Sequence, residues 1–120
     1  MILLDTNIFI YLANGTLDPQ LVSSVDISHA SITKIESLGF SSIPANELLL
    51  LSALFNESFN HNLTDQVVDQ AIKLRQAKKM SLGDSIIAAT ALESNLDLWT
   101  ANVDDFQHVE GLRIFNPLKA

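Results

Sequence analysis

The sequence contains no cysteine, which excludes a disulfide scaffold, a thiolate zinc site and a cysteine nucleophile together. Positive charge is scarce. Seven lysines and arginines against fourteen aspartates and glutamates give a formal net charge of −7. Such a chain does not hold a nucleic acid by bulk electrostatics; a polyanion would reach it only with positive charge recruited from metal ions or a basic partner. Long apolar runs are missing as well. The longest, residues 48–51 with Ala53, Leu54 and Phe55, is broken by Ser52 and is too short to cross a bilayer. The opening Met-Ile-Leu-Leu-Asp carries neither a basic stretch nor a cleavable apolar segment, so a cytoplasmic location and no membrane association are expected. Three prolines and four glycines act only as punctuation, with no linker or repeat. One domain over residues 1–120 is expected, long enough to bury roughly two thirds of its unfolded surface.

What is present alternates between short apolar runs and helical periodicities. Ile2-Leu3-Leu4 ends at Asp5, the pattern of a buried strand that stops at a polar tip. Ile8, Phe9, Tyr11 and Leu12 predict a short helix closed by Asn14-Gly15, and Asp18-Pro19 predicts a cap with a first-turn proline. A second strand is expected over residues 25–28. Ile32, Ile35 and Leu38 then recur at helical spacing, with Thr33 in a capping position. Pro44 precedes a strongly apolar helix over residues 45–55. Thr64-Asp65 starts another, with Val67, Val68, Ala71, Ile72 and Leu74 on one side. Residues 86–92 are apolar nearly all round, so their helix is expected to be buried. Leu96, Leu98 and Trp99, then residues 112–115, read as the last strands. Short strands alternating with helices predict a three-layer α/β protein whose central sheet is mainly parallel.

In an open parallel sheet, ligands bind beyond the carboxyl ends of the strands. Asp5-Thr6-Asn7 follows the first strand, and residues 100–105 follow the Trp99 strand; Glu36 and Asp84 stand at helix starts. If those helix starts face the same sheet edge, four carboxylates converge with no neighbouring base in sequence. Crowded carboxylates repel and hold protons unless a cation neutralises them. Hard divalent ions, Mg²⁺ or Mn²⁺, prefer such oxygen sites, which points to metal-assisted phosphoryl chemistry. Each acid taken singly has a simpler role. Thr33-x-x-Glu36 and Ser81-x-x-Asp84 are capping-box patterns, and Asp5, Asp104 and Asp105 suit turns. The functional reading rests on all four together.

That combination carries a resemblance. Leu3-Leu4-Asp5-Thr6-Asn7, Ser31-x-Thr33-x-x-Glu36, Leu82-Gly83-Asp84-x-x-Ile87-Ala88-Ala89-Thr90-Ala91 and Thr100-x-Asn102-x-x-Asp105-Phe106 follow one another along the chain, closed by Gly111-Leu112 and Asn116-Pro117. They resemble the signature of PIN-domain ribonucleases, and within these the VapC-like toxins of prokaryotic toxin–antitoxin pairs. The resemblance implies a small α/β/α domain, usually a homodimer, acting as an Mg²⁺- or Mn²⁺-dependent endoribonuclease. It implies Asp5, Glu36, Asp84 and Asp105 as the catalytic acids that hold one or two ions. Asp5 and Asp84 are then direct ligands, and Glu36 and Asp105 bind directly or through water. Asn7, Thr100 and Asn102 match positions that orient ligands or water, with Thr6 a further candidate. Asp104 adjoins Asp105 and competes for the fourth place; Phe106, expected to anchor the loop, favours Asp105. The implied partners are an RNA substrate and a cognate antitoxin whose C-terminal segment sets a basic side chain near the acids.

Lys73, Arg75, Lys78 and Lys79 place four of the seven bases within seven residues. They read either as the solvated face of a helix or as the lining of an RNA path before Asp84, and Arg75 also suits an internal pair with a nearby acid. His29, His61 and His108 form no i, i+4 pair and suit structural or surface roles rather than zinc ligation. Residues 48–55 hold more apolar side chains than one core-facing stripe needs; an antitoxin groove, a dimer seam or a helix buried on two sides would each explain them. Two other classes stand beside the nuclease. One is a non-catalytic binding module on the same fold. The other is an acidic-pocket protein of the receiver or haloacid-dehalogenase type. A receiver usually carries its lysine late, after a strand, and only Lys119 comes late here; the phosphatase needs Asp-x-Asp near the start, where this chain has Asp5-Thr6-Asn7.

Overall fold

The computed structural model describes residues 1–119. Strands β1 (Ile2–Leu4), β2 (Ile27–Ala30), β3 (Phe59–His61), β4 (Asp97–Trp99) and β5 (Ile114–Phe115) form one sheet of order β3-β2-β1-β4-β5. Every pairing is parallel, with Leu3 opposite Ser28 on one side and Leu98 on the other. The connections are α1 (Thr6–Asn14), α2 (Ser31–Leu38), α3 (Ala45–Glu57), α4 (Asp65–Ala77), α5 (Leu82–Glu93) and α6 (Val103–Phe106). The architecture is the expected three-layer α/β/α one.

The chain runs outward from β1 through β2 to β3, then crosses back to β4. Right-handed crossovers send the helices of the outward run to one face and those of the return to the other. Ile8, Phe9 and Leu12 of α1 accordingly pack with Leu51 and Phe55 of α3 against Leu4 and Ile27. On the opposite face Val67, Ala71, residues 86–89 and Phe106 pack against Leu3, Ala30 and Leu98. Successive strand residues point to opposite faces. Leu3 and Leu4 are therefore both fully buried, and β1 reads as an unbroken apolar run. In α5 every residue from Ser85 to Ala91 is buried, as its composition requires.

Local signals set several boundaries. Asp18 accepts from the Gln20 N–H at 3.0 Å at the head of a short 3-10 turn, and Thr64 accepts from the Val67 N–H at 3.2 Å to start α4. Gly15 closes α1 at φ 86°, the left-handed conformation that glycine takes without strain.

Other expectations are corrected. The second strand lies at Ile27–Ala30 rather than 25–28, because its pairing with β1 sets Ile27 opposite Ile2. The helix after it starts at Ser31 with no side-chain cap, so Thr33 sits buried in its first turn and caps nothing. Strand β3 and helix α6 were not expected. The sequence Phe59-Asn60-His61 has no strand periodicity, and β3 exists as a short edge strand against β2. Helix α3 is buried on one side only: Leu51 and Phe55 face the core while Leu48, Leu49 and Leu50 are exposed. In α4, Val67 and Ala71 are buried, but Val68 and Ile72 are open to solvent. Among the described residues no helix is long and apolar enough to cross a membrane.

Candidate active site

Strand order reverses between β1 and β4, which opens a crevice beyond their carboxyl ends. Asp5 leaves β1 there and Thr100 leaves β4. The Asp5 N–H donates to the Trp99 carbonyl at 2.9 Å, and the Thr100 N–H donates to that of Phe115 at 3.0 Å. As the N-cap of α1, Asp5 accepts the Thr6 N–H at Oδ1, 2.8 Å away. Its Oδ2 accepts the Thr100 hydroxyl at 2.7 Å. Asp5 is only 4% exposed and Thr100 is fully buried. Burial pushes the Asp5 carboxyl from 3.8 up to about 6; the Thr100 and Thr6 hydrogen bonds resist this, while Asp84 and Glu36 add repulsion.

Glu36 approaches from α2. Because that helix starts at Ser31, Glu36 lies in its second turn and closes no capping box. Its Oε1 accepts the Thr6 hydroxyl at 2.8 Å, and that hydroxyl stands 3.3 Å from the Thr33 hydroxyl. Gly83 gives Glu36 its space: a Cβ there would lie 2.8 Å from Glu36 Oε2. The next residue is Asp84, whose N–H donates to the Ser81 hydroxyl at 3.1 Å, so this pair does make an N-terminal cap. The Asp84 carboxyl is raised, first by burial, with Asp105 and Glu36 also raising it and a Ser81 hydrogen bond lowering it. Asp105 is exposed on α6, which the fully buried Phe106 anchors. Asp104 is its exposed neighbour, but it is the charge of Asp105 that acts on Asp84.

A cleft of about 700 Å³ is lined by the acids Asp84, Asp104 and Asp105 and by the bases Arg75, Lys78 and Lys79. A neighbouring cleft of about 520 Å³ shares Asp104 and Asp105 and adds Asn102 and Lys119. Lys73 lines neither; two residues before Arg75 on a helix, it looks away from it. The basic stretch is not one helix face, since Lys78 caps the end of α4 and Lys79 lies in the connection to α5. Arg75 has no ion pair among the described residues. Its Nε donates to the Met80 carbonyl at 3.3 Å, and the one ion pair among the described residues joins Arg113 to Asp97. Asn7 is half-buried in the first turn of α1 and makes no hydrogen bond to the four acids. The Asn102 N–H donates to the Thr100 hydroxyl at 2.9 Å. His29 is a core residue: its Nδ1 meets the Ser58 hydroxyl at 2.7 Å, its ring contacts Phe9 and Phe55, and burial lowers it to about 4.

The model of the PIN domain family matches residues 2–112. The chain belongs to the PIN-domain family. Among solved structures, this PIN domain is similar to a toxin–antitoxin complex from Klebsiella pneumoniae, with a TM-score of 0.81, 27% identity and 98% of each chain covered. VapBC2 of Rickettsia felis, bound to a DNA fragment from its promoter, matches with a TM-score of 0.80 and 22% identity over 97% of this chain and 98% of that one. VapC20 of Mycobacterium tuberculosis, a toxin that cleaves the sarcin–ricin loop, matches with a TM-score of 0.71 and 14% identity over 98% of this chain and all of that one. At these last two identities the likeness is one of fold. No curated protein matches the chain in sequence.

The four acids of this PIN domain offer only carboxylate oxygens, with no base among the described residues paired to them and two carboxyls raised by burial and mutual repulsion. That donor chemistry suits a hard divalent cation. As the side chains stand, no three acids or histidines among the described residues gather tightly enough to hold one ion, and Glu36 is tied to Thr6 instead. Two features went beyond the sequence reading. Thr6, named there as a further candidate, is the link between Asp5 and Glu36, a pairing no spacing rule reveals because its partner lies 30 residues on. His108 lines the larger cleft three residues beyond Asp105, again without a motif to mark it.

Proposed function

We propose that this PIN domain is a divalent-metal-dependent endoribonuclease, the toxin of a toxin–antitoxin pair, working as a homodimer. The observation that carries the reading is Asp5: a buried carboxylate fixed by Thr100 and the Thr6 N–H, with Glu36 and Asp84 acting on it and no base paired to it. Asp5 and Asp84 would hold an Mg²⁺ or Mn²⁺ ion directly, with Glu36 and Asp105 binding it directly or through water. Such an ion supplies Lewis acidity, lowering the pKa of a bound water and polarising the phosphate.

The protein's own residues set the stage for that chemistry. Each Asp5 oxygen accepts one hydrogen bond from the fold and keeps a further lone pair. The Thr6 hydroxyl fixes Glu36 beside it. Arg75, Lys78 and Lys79 bring positive charge to the cleft, where an acidic protein otherwise repels a phosphate chain.

An antitoxin suits the apolar surface that the fold leaves uncovered. Phe40, 68% exposed, lines a pocket with Ile10, Ile43, Pro44 and Leu51, and Leu49 and Leu50 on α3 are 73% and 50% exposed. The resembling solved structures include toxin–antitoxin complexes. The test of activity is incubation with structured RNAs, transfer RNAs included, in Mn²⁺, in chelator, and with Asp5→Asn. Cleavage that needs both the ion and Asp5 supports the proposal. Cleavage undiminished in Asp5→Asn overturns the site.

A further inference from the structure

Three of the four glycines serve the backbone. Gly15 and Gly111 take left-handed φ of 86° and 83°, and a side chain on Gly39 would strike the Ile35 carbonyl. Gly83 is different. It occupies the second position of α5 without a left-handed φ, in a turn that Ser81 already caps. Glycine costs a helix more conformational entropy than alanine does, and the backbone here gives no reason for it. The reason lies across the site. The three atoms nearest to an added Cβ all belong to the Glu36 carboxyl: Oε2 at 2.8 Å, Cδ at 3.3 Å and Oε1 at 3.4 Å. Glu36 is an exposed side chain, so few contacts decide where its carboxylate stands. On one side the Thr6 hydroxyl donates to Oε1 at 2.8 Å; on the other lies the bare face of Gly83. Thr6 follows Asp5 and Gly83 precedes Asp84. The carboxylate carried by α2 is thereby drawn between the acids at the heads of α1 and α5, near enough for its charge to act on both.

We infer that Gly83 is a positioning residue: its missing side chain is the seat that keeps Glu36 between Asp5 and Asp84, where the three carboxylates share in holding a divalent cation. The inference rests on the metal-dependent reading and adds to it a residue that offers no donor atom of its own. A Cβ at this place meets the far end of a flexible side chain, so the clash is relieved when Glu36 turns out into solvent and leaves Thr6. The fold is therefore expected to tolerate alanine. What it loses is the third carboxylate, and with it part of the charge that attracts a hard ion.

The test compares wild type with Gly83→Ala, Glu36→Ala and the double variant. Mn²⁺ affinity is read from the EPR signal of the free ion, thermal unfolding is followed in chelator, and Gly83→Ala is crystallised in chelator. Gly83→Ala is expected to weaken Mn²⁺ binding by roughly tenfold, about as much as Glu36→Ala does, and the double variant is expected to lose no more than either alone. The melting temperature of Gly83→Ala is expected to equal or exceed that of wild type, because alanine favours the helix and the displaced Glu36 no longer repels Asp5 and Asp84. Its crystal structure is expected to show Glu36 detached from Thr6. Undiminished Mn²⁺ affinity in Gly83→Ala overturns the inference, as does a Glu36 still bonded to Thr6 in that crystal. So do losses of affinity that add in the double variant, since alanine would then act through Asp84 or the helix instead of Glu36. A melting temperature lowered with and without Glu36 marks a packing role and overturns it too, whereas one lowered only where Glu36 is present assigns the clash to Glu36 and supports it. Wild type that takes up no Mn²⁺ overturns the metal reading, and the crystal structure of Gly83→Ala then decides the seat by itself.

Discussion

Replacing Asp5 with asparagine is expected to stabilise the metal-free protein at neutral pH while abolishing cleavage. The carboxyl titrates at 3.8 when unperturbed and at about 6 in the fold, chiefly because it is buried. A proton held more tightly by the folded state means that ionisation opposes folding. The penalty is small near pH 4, grows through the window between the two values, and is complete at pH 7. A rise of about two pH units at 1.36 kcal/mol each amounts to about 3 kcal/mol. Asparagine keeps the shape and the Oδ1 acceptor for the Thr6 N–H and carries no charge; its Nδ2 replaces Oδ2, so the Thr100 hydroxyl there accepts instead of donating. For a chain of this length about 3 kcal/mol corresponds to roughly 10 °C in melting temperature. Thermal unfolding in chelator at pH 7 and pH 4 measures it: the gap between variant and wild type is expected to be near its full size at pH 7 and below about 1 kcal/mol at pH 4. Protonation of His29 weakens both proteins alike and cancels. Adding Mn²⁺ is expected to raise the melting temperature of wild type and leave Asp5→Asn unmoved. A variant that melts at or below wild type at pH 7, or a gap independent of pH, would refute the reasoning.

Further outcomes follow from the same geometry. Thr100→Val removes the donor to Asp5 Oδ2 and is expected to move the acid limb of the pH–activity profile upward by about one to two pH units; an unmoved limb would mean that Asp5 does not govern it. Lys78→Ala with Lys79→Ala is expected to weaken RNA binding and reduce the slope of log affinity against log salt by roughly 1.4. Lys73→Ala, outside the cleft, is expected to change neither quantity. His29, lowered to about 4 by burial, binds protons in the unfolded chain below about 6.5 and in the folded one only near 4. Stability is therefore expected to decline as pH falls through that window, and denaturant titrations of wild type and His29→Gln would reveal it as a shallower pH dependence in the variant.

Strand β1, helix α5 and the caps at Asp18 and Thr64 were legible in the sequence because each is specified locally, by a run of apolar residues or by one hydroxyl or carboxylate at a fixed offset. Strand β3 was not, because an edge strand of three residues owes its existence to β2 rather than to its own composition. Glu36 and Asp84 carried the same capping pattern and met different fates. Ser81 does cap α5, whereas α2 begins two residues before Thr33 and leaves Glu36 free for Thr6. Which acid neighbours which is a product of strand order, and strand order is not written in any window of the chain. Likewise α3 reads as apolar throughout, and only the packed fold tells Leu51 from Leu49.

The bond between Thr100 and Asp5 spans 95 positions, and it imposes a timetable. Synthesis proceeds from the N-terminus at about 5–20 residues per second, so Asp5 emerges many seconds before the hydroxyl that orients it. Until β4 pairs with β1, Asp5 has the Thr6 N–H alone and lacks the Thr100 hydroxyl, and Asp84 and Asp105 are likewise late arrivals. A nascent chain thus carries its first acid through most of its own production without a working centre. Any activity that needs Asp5, Asp84 and Asp105 together in this arrangement would be withheld by topology alone until the last fifth of the polypeptide had been made.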